Sequence, residues 1–184
     1  MCGKMKNNLI VIENGQLNTY VLDDKLSWKI GRPSKDNKVD IKLFSATVSR
    51  KHGTIQNMDG IWFYLDHNGK NGTVYNHKHI KAGMNGRIKP IMLEHGDIFV
   101  FGVGEEATAH NCKPVWAMFS TRAYDERWRV VDTKGVTKVT FTDDDGSTSM
   151  ENPVMGTVVE RNQGMAIYMG DTTYLAGNIN LSGC

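Results

Sequence analysis

Residues 30–102 carry four polar motifs, which read in chain order Ile30-Gly31-Arg32, Val48-Ser49-Arg50-Lys51-His52, Asp66-His67-Asn68-Gly69-Lys70-Asn71-Gly72-Thr73 and Leu93-Glu94-His95-Gly96-Asp97. Each motif lies where a run of alternating apolar and polar residues ends, which places it at the junction of a predicted strand and a loop. The motifs therefore put their charged and hydroxyl side chains on loops that strands hold in place.

Short strands fill the first two-thirds of the chain. About ten alternating runs occur there, separated by turns such as Asn14-Gly15 and Asp59-Gly60. Asn-Gly and Asp-Gly pairs tolerate positive φ and suit two-residue hairpin turns. No segment shows an apolar stripe of helical period with caps. The pattern predicts an all-β sandwich or barrel, with one strand at Ile88–Leu93.

Composition indicates an ordinary globular protein. The 184 residues are 40% apolar and carry a formal charge of +2. No apolar run reaches the ~18–20 residues of a membrane span, and Leu9-Ile10-Val11-Ile12 is too short for a signal-sequence core. Cys2, Cys112 and Cys184 form neither a disulfide framework nor a zinc set. We expect a cytoplasmic protein with no metal, no cofactor and no membrane partner.

Charge is unevenly distributed along the chain. Residues 28–81 hold 10 basic and 4 acidic residues, a net charge of +6, whereas residues 123–184 hold 5 and 9, a net charge of −4. A local basic excess suggests an anionic partner. A solvated lysine surface would give the same count, so the charge alone leaves both interpretations open.

The four motifs in this order closely resemble the forkhead-associated (FHA) domain family. That family has Gly-Arg, then Ser-x-x-His, then Asn-Gly-Thr, then Leu-x-x-Gly-Asp at similar distances. The resemblance covers about residues 8–122. It implies an FHA-type β-sandwich of two twisted, mainly antiparallel sheets, which binds phosphothreonine peptides through loops at one end.

The resemblance also implies a role for each residue of the motifs. Arg32 and Ser49 would hold the phosphate, with help from Arg50 and Lys70, while the side-chain amide of Asn71 would hold the peptide backbone. Arginine offers a planar fork that suits phosphate, and we expect both the hydroxyl and the backbone N–H of Ser49 to donate to it.

The same resemblance assigns supporting roles. Thr47 would contribute to peptide specificity and His52 would brace the Ser49 loop. Gly31 and Gly72 would be structural, allowing close backbone approach or positive φ.

Two positions depart from the family pattern. The residue before Asn71 is usually Ser or Thr, and here it is Lys70; the residue before that is often Ser, and here it is Gly69. A longer, charged donor replaces a hydroxyl, and glycine adds backbone freedom. These departures keep an alternative open, in which the FHA site is degenerate and the module either associates with proteins independently of phosphate or is structural.

Catalysis and nucleic-acid binding are the competing interpretations. Ser49, His52 and either Asp66 or Asp97 could form a hydrolase triad, but Ser-x-x-His is already explained by the family pattern, so we expect no enzymatic activity. A nucleic-acid surface would interleave aromatic and basic residues. Trp62-Phe63-Tyr64 are consecutive instead, which argues against nucleic acid.

Residues 123–184 form a separate β-rich extension. Gly156-Thr157-Val158 and the apolar run that follows it resemble Gly53-Thr54-Ile55 and its following strand. We interpret the extension as either a degenerate partial FHA-like repeat or an unrelated β-rich segment. Thr142, with Asp145 three residues later, would on phosphorylation be a candidate ligand for Arg32 of the same or another copy.

The sequence thus predicts a non-enzymatic adaptor or signalling module. Its partner would be a phosphothreonine-containing protein or peptide, with a Ser/Thr protein kinase acting upstream.

Overall fold

The computed structural model describes residues 5–80, 86, 88–103, 113–122, 124 and 127–182. This part of the chain is nearly all strand, apart from a single 3-10 turn at Leu22–Asp24. Its eighteen strands are β1 Met5–Glu13, β2 Gln16–Val21, β3 Ser27–Gly31, β4 Ile41–Lys42, β5 Gly53–Met58, β6 Ile61–Asp66, β7 Thr73–Tyr75, β8 Lys78–His79, β9 Ile91–Met92, β10 Ile98–Phe101, β11 Val115–Arg122, β12 Arg129–Asp132, β13 Lys138–Asp143, β14 Gly146–Glu151, β15 Thr157–Arg161, β16 Gly164–Tyr168, β17 Thr172–Gly177 and β18 Asn180–Ser182.

Packing of Cα atoms divides the chain into two compact units. The larger unit is Lys6–Thr121 and the smaller contains Arg122–Cys184. The larger unit carries all four motifs of residues 30–102. The interpretation of residues 123–184 as a degenerate FHA-like repeat stays a prediction.

The larger unit consists of two sheets. One has six strands in the order β2-β1-β11-β10-β7-β8, and the other has five in the order β4-β3-β5-β6-β9. The pairs of the five-stranded sheet are antiparallel apart from β3 with β4, which is parallel. The predicted all-β class with mainly antiparallel sheets is confirmed.

A single hydrophobic core lies between these two sheets. Phe99, Phe101 and Val115 enter it from the six-stranded sheet, and Ile55 and Tyr64 enter it from the five-stranded sheet. Strand alternation explains this division, because successive side chains of a strand point to opposite faces. In β6, for example, residues 62 and 64 are buried while residue 61 is exposed.

Hairpin turns occur where the Asn-Gly and Asp-Gly pairs predicted them. Asn14 and Gly15 join β1 to β2 with φ of 51° and 74°, and Asp59 and Gly60 join β5 to β6 with φ of 55° and 86°. Positive φ at both central residues is the type I′ pattern, whose twist matches that of the flanking strands. The two pairs therefore set the register of their hairpins.

The strand predicted at Ile88–Leu93 is shorter in the structure. Only β9, Ile91–Met92, pairs with β6, opposite Tyr64 and Phe63. Pro90 stands immediately before β9. Proline has no N–H for a strand ladder, which explains why pairing begins after it.

The smaller unit also has two sheets and a core of its own. The sheets have the orders β12-β17-β16-β15 and β14-β13-β18. Their shared hydrophobic cluster contains Val139, Phe141, Val159, Ala166, Tyr168, Leu175 and Ile179. Sequence reasoning missed β14, because Gly146-Ser147-Thr148-Ser149 shows no apolar alternation. β14 is an edge strand, held by backbone pairing with β13.

No helix in the described ranges is long and apolar enough to cross a membrane.

Candidate functional site

Arg32 follows directly on β3 and is fixed by two hydrogen bonds. Its backbone N–H donates to the carbonyl of Ser49 (3.1 Å), and its Nε donates to the carbonyl of Val48 (3.1 Å). Within the described part of the chain, its terminal nitrogens Nη1 and Nη2 have no hydrogen-bond or ion-pair partner. The guanidinium is thus oriented through Nε, while its outer edge remains able to bind an anion in a two-pronged manner.

Gly31 allows the chain to approach itself closely. A Cβ atom at this position would lie 1.9 Å from the carbonyl oxygen of Arg50, which is backbone and cannot move aside cheaply. Glycine is therefore needed here for close approach and not for positive φ. The contact brings the start of the Arg32 loop against the Ser49-Arg50 loop.

Ser49 is braced by His52. The backbone N–H of Ser49 donates to Nδ1 of His52 (3.1 Å), and Nε2 of His52 lies 2.8 Å from Oγ1 of Thr73. The expectation that the Ser49 N–H donates to a phosphate is therefore wrong, because that N–H already has an acceptor inside the loop. The Ser49 hydroxyl is the donor that remains.

The histidine rests on a buried polar network. Thr73 Oγ1 and Tyr64 Oη both donate to Oδ1 of Asp66, each at 2.7 Å, and the backbone N–H of Asn68 donates to Oδ2 (3.0 Å). Burial lowers the pKa of His52, against the attraction of the Asp66 charge. Burial and the Asp66 charge together raise the pKa of Tyr64 well above its usual value. His52 is neutral, carries its hydrogen on Nε2 and donates to Thr73.

This arrangement does not form a hydrolase triad. Both ring nitrogens of His52 are engaged, one by the Ser49 backbone and one by Thr73. Asp66 accepts from Thr73 instead of orienting the imidazole. Asp97 accepts from the hydroxyl of Tyr75, 2.9 Å away. The Ser49 hydroxyl therefore has no base beside it among the candidates that the sequence suggested.

Asn71 joins its loop to the one that carries Thr47. Its Nδ2 donates to the backbone carbonyl of Thr47 (2.9 Å). One N–H of the amide and its Oδ1 remain for a peptide backbone. The Thr47 hydroxyl is engaged within the protein, 2.9 Å from Oγ of Ser45. A Cβ atom on Gly102 would lie 2.6 Å from the same Oγ1 of Thr47.

Glycines shape the turn that presents Lys70. A Cβ on Gly69 would lie 2.5 Å from Oγ of Ser49, so the residue that departs from the family pattern is one that packs directly on Ser49. Gly72 has φ of 76° and its N–H donates to the carbonyl of Gly69 (3.0 Å). Lys70 and Arg50 are both exposed, and neither has an ion-pair partner in the described ranges.

Asn37 is a residue of the site that sequence reasoning missed. Its Nδ2 donates to the carbonyl of Arg32 (3.0 Å) and to that of Arg50 (2.8 Å). It thereby ties the loop of Arg32 to the loop of Ser49 and Arg50 through their backbones. The only signal in the sequence is that Pro33-Ser34-Lys35-Asp36-Asn37 is rich in turn-forming residues.

The structure thus brings Gly31, Arg32, Thr47, Ser49, His52, Asn71 and Gly72 into one set of loops joined by direct contacts. This set lies at the strand ends of the two-sheet sandwich. Residues 28–102 match the family model of the FHA domain. This part of the chain belongs to the FHA domain family.

Several solved structures are similar to this chain at low sequence identity. Full-length yeast Pml1p is 21% identical, with a TM-score of 0.50, over 62% of this chain and 81% of that one. The FhaA FHA domain in complex with the intracellular domain of Rv3910 is 23% identical, with a TM-score of 0.43, over 61% and 98%.

An FHA domain solved in a study of phosphothreonine-dependent FHA domain interactions is 20% identical, with a TM-score of 0.43, over 64% and 98% of the two chains. No curated protein matches the sequence.

Proposed function

We propose that residues 8–122 form a phosphothreonine-dependent adaptor that recognises proteins phosphorylated by Ser/Thr kinases. The observation that supports the proposal is the way two hydrogen bonds hold Arg32. Its Nε is held by the Val48 carbonyl at 3.1 Å, and its backbone N–H is held by Ser49 at 3.1 Å. A guanidinium oriented through Nε in this way leaves Nη1 and Nη2 able to donate together to one anion.

The chemistry of a phosphate fits the edge of the Arg32 guanidinium that carries Nη1 and Nη2. A phosphothreonine carries nearly two negative charges and three acceptor oxygens. Arg32 would bind two of the oxygens through its fork, and the Ser49 hydroxyl would donate to the phosphate beside it. The exposed ammonium of Lys70 and guanidinium of Arg50 would add long-range attraction. The free side of the Asn71 amide would bind the backbone of the peptide.

The proposal involves binding without chemistry. A phosphate-reading site needs donors that stay in place, and the contacts among Ser49, His52 and Thr73 serve that purpose. The partner would leave unchanged, so the function is to bring a phosphorylated protein to whatever else this chain contacts.

Thr142 is poorly suited to be the ligand. It lies in β13, the central strand of its sheet, opposite Ser147 of β14 and Asn180 of β18. A peptide backbone paired on both sides cannot lie extended across a loop site unless β13 leaves its sheet. We therefore propose a phosphothreonine in another protein.

A peptide array provides the test. Wild type, Arg32→Ala and the control Arg127→Ala, an exposed arginine of the smaller unit, would be applied to paired phosphothreonine and threonine peptides. We expect wild type and the control to bind phosphorylated spots only, and Arg32→Ala to bind none. Equal binding to both members of each pair would favour the phosphate-independent alternative.

A further inference from the structure

A concave surface lies beside the loops of Arg32 and Arg50 in the larger unit. It is an open cleft of about 810 Å³, lined by residues of β3, by the loop from β3 to β4, by Arg50, Lys51, Gly53 and Thr54, and by His67. Its lining contains the basic side chains Lys29, Lys35, Lys38, Arg50 and Lys51. The proposed function gives a role to Arg50 and none to the four lysines.

These cations are available to a ligand. All five are exposed, and within the described ranges none of them forms an ion pair. The one acidic residue of the lining is Asp36. The nearby Asp40 is already engaged, because it pairs with Lys25 and accepts the backbone N–H of Lys29 at 2.8 Å. A concave surface with five positive groups and one negative group attracts anions.

The cleft adjoins the proposed phosphate site. Arg50 lines the cleft and is also one of the residues proposed to assist in binding the phosphate. Asn37 lines the cleft and bonds to the carbonyls of Arg32 (3.0 Å) and Arg50 (2.8 Å). His67 also lines the cleft, and its backbone N–H donates to the carbonyl of His52 (3.0 Å). A chain bound at Arg32 would therefore pass within a few residues of the cleft.

We propose that this cleft binds an acidic segment flanking the phosphothreonine of the same partner polypeptide. The inference rests on the proposed function and adds a preference for aspartate- or glutamate-rich flanks. Lysine ammoniums on separate stems suit several spaced carboxylates. Single-stranded nucleic acid is the poorer candidate, because it would require aromatic side chains for base stacking, and the lining offers no Phe, Tyr or Trp.

The test compares pools of peptides by fluorescence anisotropy at low salt. One pool has phosphothreonine among random uncharged residues. Two further pools carry three aspartates, either before or after the phosphothreonine, and each pool has an unphosphorylated counterpart. An oligothymidine serves as the nucleic-acid probe. The proteins are wild type, the double variant Lys35→Gln with Lys38→Gln, and a control of equal charge, Lys6→Gln with Lys78→Gln, at exposed positions outside the cleft.

We expect acidic flanks on one side to tighten phosphopeptide binding to wild type by about tenfold. The cleft variant should lose most of that gain while binding the uncharged phosphopeptide pool within about twofold of wild type, since it keeps Arg32 and Ser49. The control should keep the gain. High salt should remove it, because exposed charge pairs are screened.

Three results would overturn the inference while leaving the proposed function intact. These are no gain from acidic flanks, a gain that persists in the cleft variant, or equally tight binding of oligothymidine or of the unphosphorylated acidic pools to wild type. Failure of every phosphopeptide pool to bind would instead remove the proposed function, and the inference with it.

Discussion

Ser49 and His52 are joined by a hydrogen bond from the backbone N–H of Ser49 to Nδ1 of His52, 3.1 Å long. Since Nδ1 accepts, the ring is neutral and its hydrogen lies on Nε2, facing Thr73. The bond closes the loop Ser49-Arg50-Lys51-His52 on itself and turns the Ser49 side chain toward the Gly69 turn. It links the shape of the proposed phosphate site to the protonation state of a buried ring.

The first prediction concerns pH. Burial holds the pKa of His52 below its usual value of 6.5, so the folded protein binds the proton less readily than the unfolded chain. The contribution of His52 to the free energy of unfolding is therefore full above pH 6.5 and falls as the pH drops below that value. Histidine ring signals in NMR should show His52 still neutral where the urea-unfolded chain is half protonated. A His52 that titrates at or above the unfolded value would contradict the assignment.

The second prediction concerns the buried hydroxyl of Thr73. Thr73→Val keeps the shape but leaves Nε2 of His52 without an acceptor and Asp66 without one of its donors. We expect a loss of about 1–3 kcal/mol in the free energy of unfolding, measured with urea, together with weaker phosphopeptide binding. Thr54→Val is the matched control, because its hydroxyl bonds to the exposed His67 and should cost less than about 0.5 kcal/mol. Equal losses for both variants would contradict the role of the network.

The third prediction concerns Gly31. Gly31→Ala places a Cβ 1.9 Å from the Arg50 carbonyl, which would force the two site loops apart at a cost of about 1–3 kcal/mol. Gly60→Ala is the control: it meets nothing within 4 Å and carries only the strain of φ at 86°. Urea unfolding and phosphopeptide binding should both worsen for Gly31→Ala, whereas Gly60→Ala should lose some stability and keep its binding. Normal phosphopeptide binding by Gly31→Ala would rule out the close approach as a requirement of the site.

The fourth prediction concerns the departure at Lys70. If its ammonium assists the phosphate from an exposed turn, Lys70→Gln should weaken phosphopeptide binding about twofold to tenfold and reduce its salt dependence. Lys78→Gln removes an equal charge from β8 and should change neither quantity. Unchanged affinity and salt dependence in Lys70→Gln would show that the lysine takes no part in binding.

Much of the site was predictable because its residues lie within a few positions of one another in short motifs. Arg32, Ser49, His52 and Asn71 each stand at a strand end, and two-residue turns such as Asn14-Gly15 have a strong local signal. That their loops lie near one another was implied by the family resemblance, and the contacts among the loops of Arg32, Ser49 and Asn71 show it in the structure.

Other parts depend on backbone contacts that no side-chain pattern records. Asn37 acts on the carbonyls of Arg32 and Arg50, and any turn could have placed an asparagine there. The Ser49 N–H was assigned to a phosphate because the sequence does not show that Nδ1 of His52 lies beside it. β14 was missed because its pairing with β13 relies on backbone bonds and polar side chains.

The central claim is tested most directly by calorimetry on one phosphopeptide selected from the array. Wild type and Arg127→Ala should bind the phosphothreonine form and fail to bind the threonine form. Arg32→Lys, which keeps the charge but loses the fork held by the Val48 carbonyl, should bind at least about tenfold more weakly than wild type, and Arg32→Ala should not bind. Wild-type affinity that is unchanged by removing the phosphate, or by Arg32→Ala, would contradict the account.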